Sequence, residues 1–253
     1  MSKFLTAPVP TKSLPGGIPF IIGNEAAERF SFYGMKGILV TFMATYLWLM
    51  NSDPNAMPMS EAKAIEWYHG FTFWVYLTPI EGALLADVLL GKYLTIMILS
   101  IVYCLGHGAL ALMGGVELAS IERTFGDDCS QFFLILGLSL IAVGSGGIKP
   151  CVSAHVGDQF GKTNAFWLTK VFGWFYVSIN LGAALSNLLT PWLLEWYGPH
   201  WAFGVPGVLM AIATFVFWLG RHRFILVPPG GIAFLKETFS WVGISTILKL
   251  LVI

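Results

Sequence analysis

Six runs of apolar residues, each long enough to cross a lipid bilayer and separated by short polar breaks, decide what this chain can become. They extend from about Phe20 to Met50, Glu66 to Leu90, Tyr93 to Gly115, Gln131 to His155, Ala165 to Trp196 and Trp201 to Gly220. A seventh apolar run starts near Ser245 and is cut off at Ile253. Hydrocarbon offers no water to satisfy backbone polar groups, so runs of this kind form helices. The breaks carry turn chemistry: Asn51-Ser52-Asp53-Pro54-Asn55, the acidic stretch Glu117 to Asp128, Gly161-Lys162 and Gly198-Pro199. The expected fold is therefore all-α and transmembrane. It comprises a lead at 1–17, a six-helix bundle at 18–220, a linker with an amphipathic stretch at 221–244, and the truncated start of a seventh helix at 245–253.

Composition agrees with that reading. Hydrophobic residues make up 56% of the chain and charged ones 11%, against about 25% charged in soluble domains. The natural solvent of such a chain is the lipid bilayer. The formal net charge of zero gives no case for a nucleic-acid partner. Cys104, Cys129 and Cys151 are scattered without metal-ligand spacing, and Cys104 and Cys151 read as small buried thiols. No metal or other cofactor is implied, and no nucleophile–base pair argues for an enzyme. Met1 to Pro19 holds two lysines and four prolines but no apolar signal-peptide core. One set of loops holds Lys3, Lys12, Lys92, Lys162, Arg221, Arg223 and Lys236, and the other holds Lys63 and Arg123. The positive-inside rule then expects a cytoplasmic amino terminus and a cytoplasmic linker, in a plasma or cytoplasmic membrane.

The functional information sits in the ionisable residues inside these runs, each of which needs a partner or water. Glu25, Glu28, Arg29, Tyr33 and Lys36 in the first run fall within an arc of roughly 140° on a regular helix. Two carboxylates beside one guanidinium cannot all be neutralised in pairs, which leaves one acid sensitive to protons. A stripe with two acids, two bases and a tyrosine favours function over a plain structural ion pair.

In the second run His69, Tyr76 and Asp87 project nearly in line, and a histidine suits a proton relay as well as an interfacial hydrogen bond. Glu81 lies off that line. The fourth run holds Gly144-Ser145-Gly146-Gly147-Ile148-Lys149-Pro150, whose small residues permit close helix approach. Lys149 there needs a carboxylate, with Glu25 or Glu28 the expected partner. Asn180 in the fifth run suits either a peptide-like ligand or an interhelical hydrogen bond. Trp48, Trp67, Trp192, Trp196 and Trp201 near the run ends read as interfacial anchors.

Four ordered blocks carry a family resemblance. Glu25-Ala26-Ala27-Glu28-Arg29-Phe30-Ser31-Phe32-Tyr33-Gly34 resembles the ExxERFxYYG signature of the proton-coupled oligopeptide transporter (POT or PTR) family of the major facilitator superfamily. Lys149-Pro150-Cys151-Val152-Ser153 through Gly157-Asp158-Gln159-Phe160 is similar to its KPCVSxxxGDQF stretch. Tyr76-Leu77-Thr78-Pro79, Gly82 and Asp87 through Gly91-Lys92 resemble its second helix and the following loop, and Phe175 through Gly182 its fifth helix. The resemblance runs from about Gly17 to Gly231.

It implies an amino-terminal six-helix bundle made of 3+3 inverted repeats. It also implies proton coupling by Glu25, Glu28, Arg29, Lys149 and His69, substrate contacts from Tyr33, Lys36, Tyr76 and Asn180, and gating by Asp87 and Lys92. Phe32 stands where the signature has a tyrosine, His155 and Val156 where an aromatic and a glycine are usual, and Glu81 where an apolar residue is usual.

Family members have a second, carboxy-terminal six-helix bundle that closes the substrate site, so the resemblance implies that bundle as a partner. The expected activity of the complete protein is symport of di- and tripeptides with protons. Nitrate or another small metabolite as cargo, and a non-transporting truncated fragment, are the alternatives.

Overall fold

The computed structural model describes residues 4–50, 55–113, 129–238, 240 and 245. Six segments are long and apolar enough to cross a membrane. Helix α1 (Ile18–Thr41) continues as a π turn (Phe42–Tyr46) and a 3-10 turn (Leu47–Met50). Helix α2 (Glu61–Leu84) likewise ends in a π turn, Leu85–Leu90. Then come α3 (Lys92–Leu112), α4 (Cys129–Asp158), α5 (Leu168–Tyr197) and α6 (Pro199–Leu219). A short amphipathic helix, α7 (Gly231–Thr238), follows. The expected start of a seventh membrane helix at 245–253 lies, apart from Ser245, outside the described residues, as do Lys3, Arg123 and the breaks at 51–54 and 114–128.

The helix ends differ from the hydropathy boundaries for local reasons. Helix α2 begins five residues before its apolar run, because Ser60 is extended (ψ 145°) and its hydroxyl accepts the Lys63 N–H at 3.4 Å. Hydropathy reads only the lipid-facing part of a helix, so a polar first turn escapes it. Helix α6 begins at Pro199, whose missing N–H costs nothing in the first turn.

Two turns consist of a single residue. Gly91 (φ 77°) alone joins the end of α2's π turn to α3, and Gly198 (φ 83°) alone joins α5 to α6. Both angles lie in the region that favours glycine, which permits such abrupt reversals. The two turns occupy opposite ends of the bundle. Near Gly91 lie Val227 and Pro229, whereas next to Gly198 the His200 ring meets the Ala111 carbonyl at the far end of α3. Helices α1–α3 and α4–α6 are thus two units of one design in inverted orientation. The main contacts agree: α1 lies against α5 as α4 lies against α2.

The second of those pairings is close enough to exclude side chains. A Cβ on Gly82 would overlap the Gly147 backbone, and one on Gly146 would come within 2.7 Å of the Val75 carbonyl. The small-residue stretch of the fourth run therefore serves close approach to α2. The Thr78 hydroxyl seals the contact by donating to the Ala142 carbonyl at 2.8 Å.

The π turn changes one expectation. Asp87 was projected in line with Tyr76 on a regular helix. It lies inside Leu85–Leu90, where the Gly91 N–H reaches back five residues to the Ala86 carbonyl at 3.0 Å. Each π-turn residue rotates the chain less than an α residue, so that straight-line projection fails at Asp87.

Candidate functional site

At the middle of α1 the sequence places acids and a base where helix geometry brings them together. Arg29 Nε lies 2.9 Å from Glu25 Oε1, one turn away, and also pairs with Glu28. All three are buried, at 4%, 0% and 5% exposure for Glu25, Glu28 and Arg29, so the guanidinium is the counter-charge of two carboxylates at once. Across the interface the Ser145 hydroxyl of α4 donates to Glu28 Oε1 at 2.5 Å. One guanidinium against two carboxylates leaves the cluster one positive charge short of balance. It can therefore take up either a proton or a second cation.

The second cation was expected to be Lys149. Among the described residues, however, Lys149 forms no ion pair. Its ammonium stands 4.7 Å from the centroid of the Phe32 ring and 5.2 Å from that of Tyr76. The reason is geometric: Arg29 already lies between the two carboxylates, and Ser145 takes a remaining oxygen of Glu28. Lys149 thus turns toward aromatic faces, whose negative quadrupole attracts a cation.

Phe32 organises this neighbourhood. Arg29 approaches the same ring at 5.8 Å and Lys36 at 5.9 Å, and Lys36 also lies 5.2 Å from the Tyr68 ring. The Tyr33 ring stands edge-on to Phe32 at 5.5 Å, and His69 edge-on to Tyr68 at 5.5 Å. A chain of contacts therefore runs from His69 through Tyr68, Lys36, Phe32 and Lys149 to Tyr76. Phe32 is itself buried, at 5% exposure, while Tyr76 is 69% exposed on an open face. Sequence reading placed Phe32 only as a missing hydroxyl, and did not place Tyr68 or Ser145. Ser145 could have been found, because it is the one hydroxyl in the small-residue stretch that faces α1.

Asn180 is exposed on α5, and its side-chain amide donates to the Tyr176 carbonyl of its own helix at 2.8 Å. That bond is neither interhelical nor directed at the cationic pair.

At the Gly91 end of the bundle, Lys92 pairs with Asp158 at 2.9 Å, with both side chains about one-fifth exposed. Asp87 contributes its backbone there, accepting the Gly230 N–H at 2.8 Å. The Gln159 amide holds Ile225 on both sides, donating to its carbonyl at 3.2 Å and accepting its N–H at 2.9 Å. The segment leaving α6 is thereby strapped across the ends of α2 and α4. Asp158 was visible in the sequence only as part of a motif, because its partner is 66 positions away.

His155 is buried against the Phe217 and Phe224 rings, at 6.1 and 5.2 Å. Cys151 is buried with its thiol toward the Gly82 and Gly147 carbonyls, and Cys104 is partly buried.

Comparison with known proteins follows the same lines. A family model described as the POT family matches residues 93–252. Solute carrier family 15 member 2 of Homo sapiens is 40% identical over 259 aligned positions, covering 96% of this chain and 32% of that protein. Peptide transporter family 1 of Drosophila melanogaster is 39% identical, covering 90% of this chain and 29% of its own length. The in meso crystal structure of the POT family transporter PepTSo is 43% identical with a TM-score of 0.72, over 86% of this chain and 39% of that one. The chain spans about a third of the length of the curated relatives it matches. Six membrane-length helices, the inverted three-helix units and these matches describe an integral multi-pass membrane protein of the major facilitator fold, and the chain belongs to the POT family.

Proposed function

We propose that this chain supplies the amino-terminal bundle of a transporter that carries di- and tripeptides together with protons. The observation that carries the reading is the buried Glu25–Arg29–Glu28 cluster next to two ammonium groups, Lys36 and Lys149, that form no ion pair among the described residues. A proton arriving at the carboxylates changes what Arg29 and Ser145 hold, and so changes how α1 sits against α4. The peptide carboxylate would be received between Lys36 and Lys149, with Tyr33, Tyr76 and Asn180 contacting the peptide backbone. His69, beside Tyr68 and Lys36, would pass protons toward the cluster. Asp87 and Lys92 would act at the Gly91 end, where Lys92 and Asp158 tie α3 to α4. A carboxy-terminal six-helix bundle would close the site and receive the peptide amino group.

The basic residues support an orientation. Lys12, Lys92, Lys162, Arg221, Arg223 and Lys236 gather at the Gly91 end, where residues 5, 11 and 12 are hydrogen-bonded to residues 226, 163 and 167. In this reading that end, with the amino terminus, faces the cytoplasm, and the protein resides in the plasma or cytoplasmic membrane.

The test is dipeptide uptake into proteoliposomes after an imposed pH jump, with this chain completed by a carboxy-terminal bundle. Accumulation that collapses with the pH gradient supports the reading; uptake indifferent to the gradient refutes it. The pair Lys36 and Lys149 also favours a second reading, a small anion such as nitrate as cargo. Nitrate that displaces labelled dipeptide, and itself accumulates, would select that reading instead.

A further inference from the structure

Helix α3 carries a polar line that the proposed peptide site does not use. Ser100, Tyr103 and His107 follow one another at spacings of three and four, so they stand on one face of the helix. All three are buried, at 1%, 0% and 0% exposure. Ser100 Oγ, the Tyr103 hydroxyl and His107 Nε2 have no hydrogen-bond partner among the described residues. Buried polar atoms of this kind are held by internal water. The neighbouring helices make room for both rings. A Cβ on Gly144 of α4 would stand 2.7 Å from the Tyr103 Cβ, and one on Gly207 of α6 would stand 2.7 Å from the His107 Cβ.

The line leads from one end of the bundle toward the charged cluster. His107 Nδ1 lies 3.3 Å from the Phe203 carbonyl of α6. One turn further along α3, the Ala111 carbonyl lies 2.6 Å from Nδ1 of His200, which is half-buried at the Gly198 end. A carbonyl only accepts, so each neutral ring carries its proton on Nδ1 and presents a lone pair at Nε2. In the other direction the His107 ring stands edge-on to Tyr103 at 4.9 Å, and Tyr103 lies in the field of Glu28 and Arg29. Other titratable groups are few here. Helix α6 has none but His200, and α4 has none from Gln131 to Ile148. Helix α3 adds Cys104, α1 brings Glu25 and, in its π turn, Tyr46, and Asp87, Lys92 and Tyr93 lie at the Gly91 end.

We propose that His200, His107 and Tyr103, with internal water between them, form a proton route along the α3–α6 seam from the Gly198 end to the Glu28 carboxylate. The inference rests on the proton coupling proposed above. His107 Nε2 takes a proton and gives it up from the same nitrogen, while Nδ1–H stays on the Phe203 carbonyl. At Tyr103 the oxygen gains one proton as its own O–H bond breaks toward Glu28, so the phenol ends neutral and the carboxylate ends protonated. The route is separate from His69, which neighbours Tyr68 and Lys36. A peptide held between Lys36 and Lys149 would therefore leave it open.

The whole route lies within this chain, so the first measurement uses the purified 253-residue protein in lipid bilayers. Nuclear magnetic resonance of isotope-labelled histidine identifies the His107 ring by its loss in His107→Gln. The ring is expected in the Nδ1–H form and to receive magnetisation from water; a dry ring, or the Nε2–H form, overturns the proposal. The second measurement is uptake by the completed transporter. His107→Gln keeps a donor for the Phe203 carbonyl but cannot carry a proton, and Tyr103→Phe keeps the ring without the hydroxyl. Each is expected to slow uptake driven by a pH jump by about tenfold or more, on the scale of a lost proton-transfer group. Peptide exchange at equal pH and the thermal unfolding temperature are expected to hold, whereas a purely structural role would lower all three together. An unsubstituted transporter that ignores the pH gradient refutes the proposed function. Driven uptake that both variants leave intact overturns this inference alone.

Discussion

The ammonium of Lys149 stands 4.7 Å from the centre of the Phe32 ring, nearer than the other two cations that share that ring. A tyrosine in that position would offer a similar π face plus a hydroxyl, so the departure from the family signature keeps the cation contact and removes one polar atom. Phe32→Leu removes the face and keeps an apolar side chain. With a cation–π contact worth about 0.5–2 kcal/mol, the half-saturating dipeptide concentration should rise by about twofold to thirtyfold. Concentration dependence of uptake by the completed transporter measures this, and an unchanged value would remove Phe32 from the substrate surface.

Arg29→Gln leaves two buried carboxylates facing each other without their shared counter-charge. Breaking a buried ion pair from one side costs about 3–5 kcal/mol. Thermal unfolding of the purified chain in detergent should shift markedly downward. Glu28→Gln/Arg29→Gln together should recover part of that loss, because the uncompensated charge is smaller.

Ser145→Ala deletes one hydroxyl and leaves Glu28 Oε1 without its donor across the α1–α4 interface. A hydrogen bond to a charged group is worth about 1.5–3 kcal/mol. Proton-driven uptake should fall by about tenfold or more on that scale, while peptide exchange at equal pH on both sides is spared. Equal loss in both assays would assign Ser145 to folding alone.

Lys92 and Asp158 are partly exposed, so their pair should add at most about 1 kcal/mol to stability. Their proposed importance is positional. Lys92→Asp should slow uptake with little change in thermal stability, and Lys92→Asp with Asp158→Lys should restore much of the rate. Failure of the double exchange would show that the individual charges, not their pairing, matter.

Sequence reading reached the helices, the α1 stripe and the close approach of α4 for one reason: lipid leaves a polar or small residue few roles. Glu25 and Arg29 are four positions apart, so helix geometry alone brings them together. Partner choice between helices was less visible. Glu28 meets Ser145 across 117 positions, and Lys92 meets Asp158 across 66. The preference of Lys149 for rings over a carboxylate depends on where Arg29 lies, which no spacing reveals. The π turn at Leu85–Leu90 was hidden too, because its residues are as apolar as those of an α-helix.

The one-residue turns at Gly91 and Gly198 divide the bundle mechanically. Each locks two neighbouring helices into a hairpin, α2 with α3 and α5 with α6, leaving no chain length between the members to let one slide past the other. Helices α1 and α4 are the exceptions, tethered to the helices that follow them through residues 51–60 and 159–164. These are the two helices that carry the carboxylates, Arg29, Ser145 and Lys149. The charged residues are thus mounted on the two membrane helices that neither one-residue turn binds to a neighbour, so a rearrangement at Glu28 falls between helices that no hairpin joins.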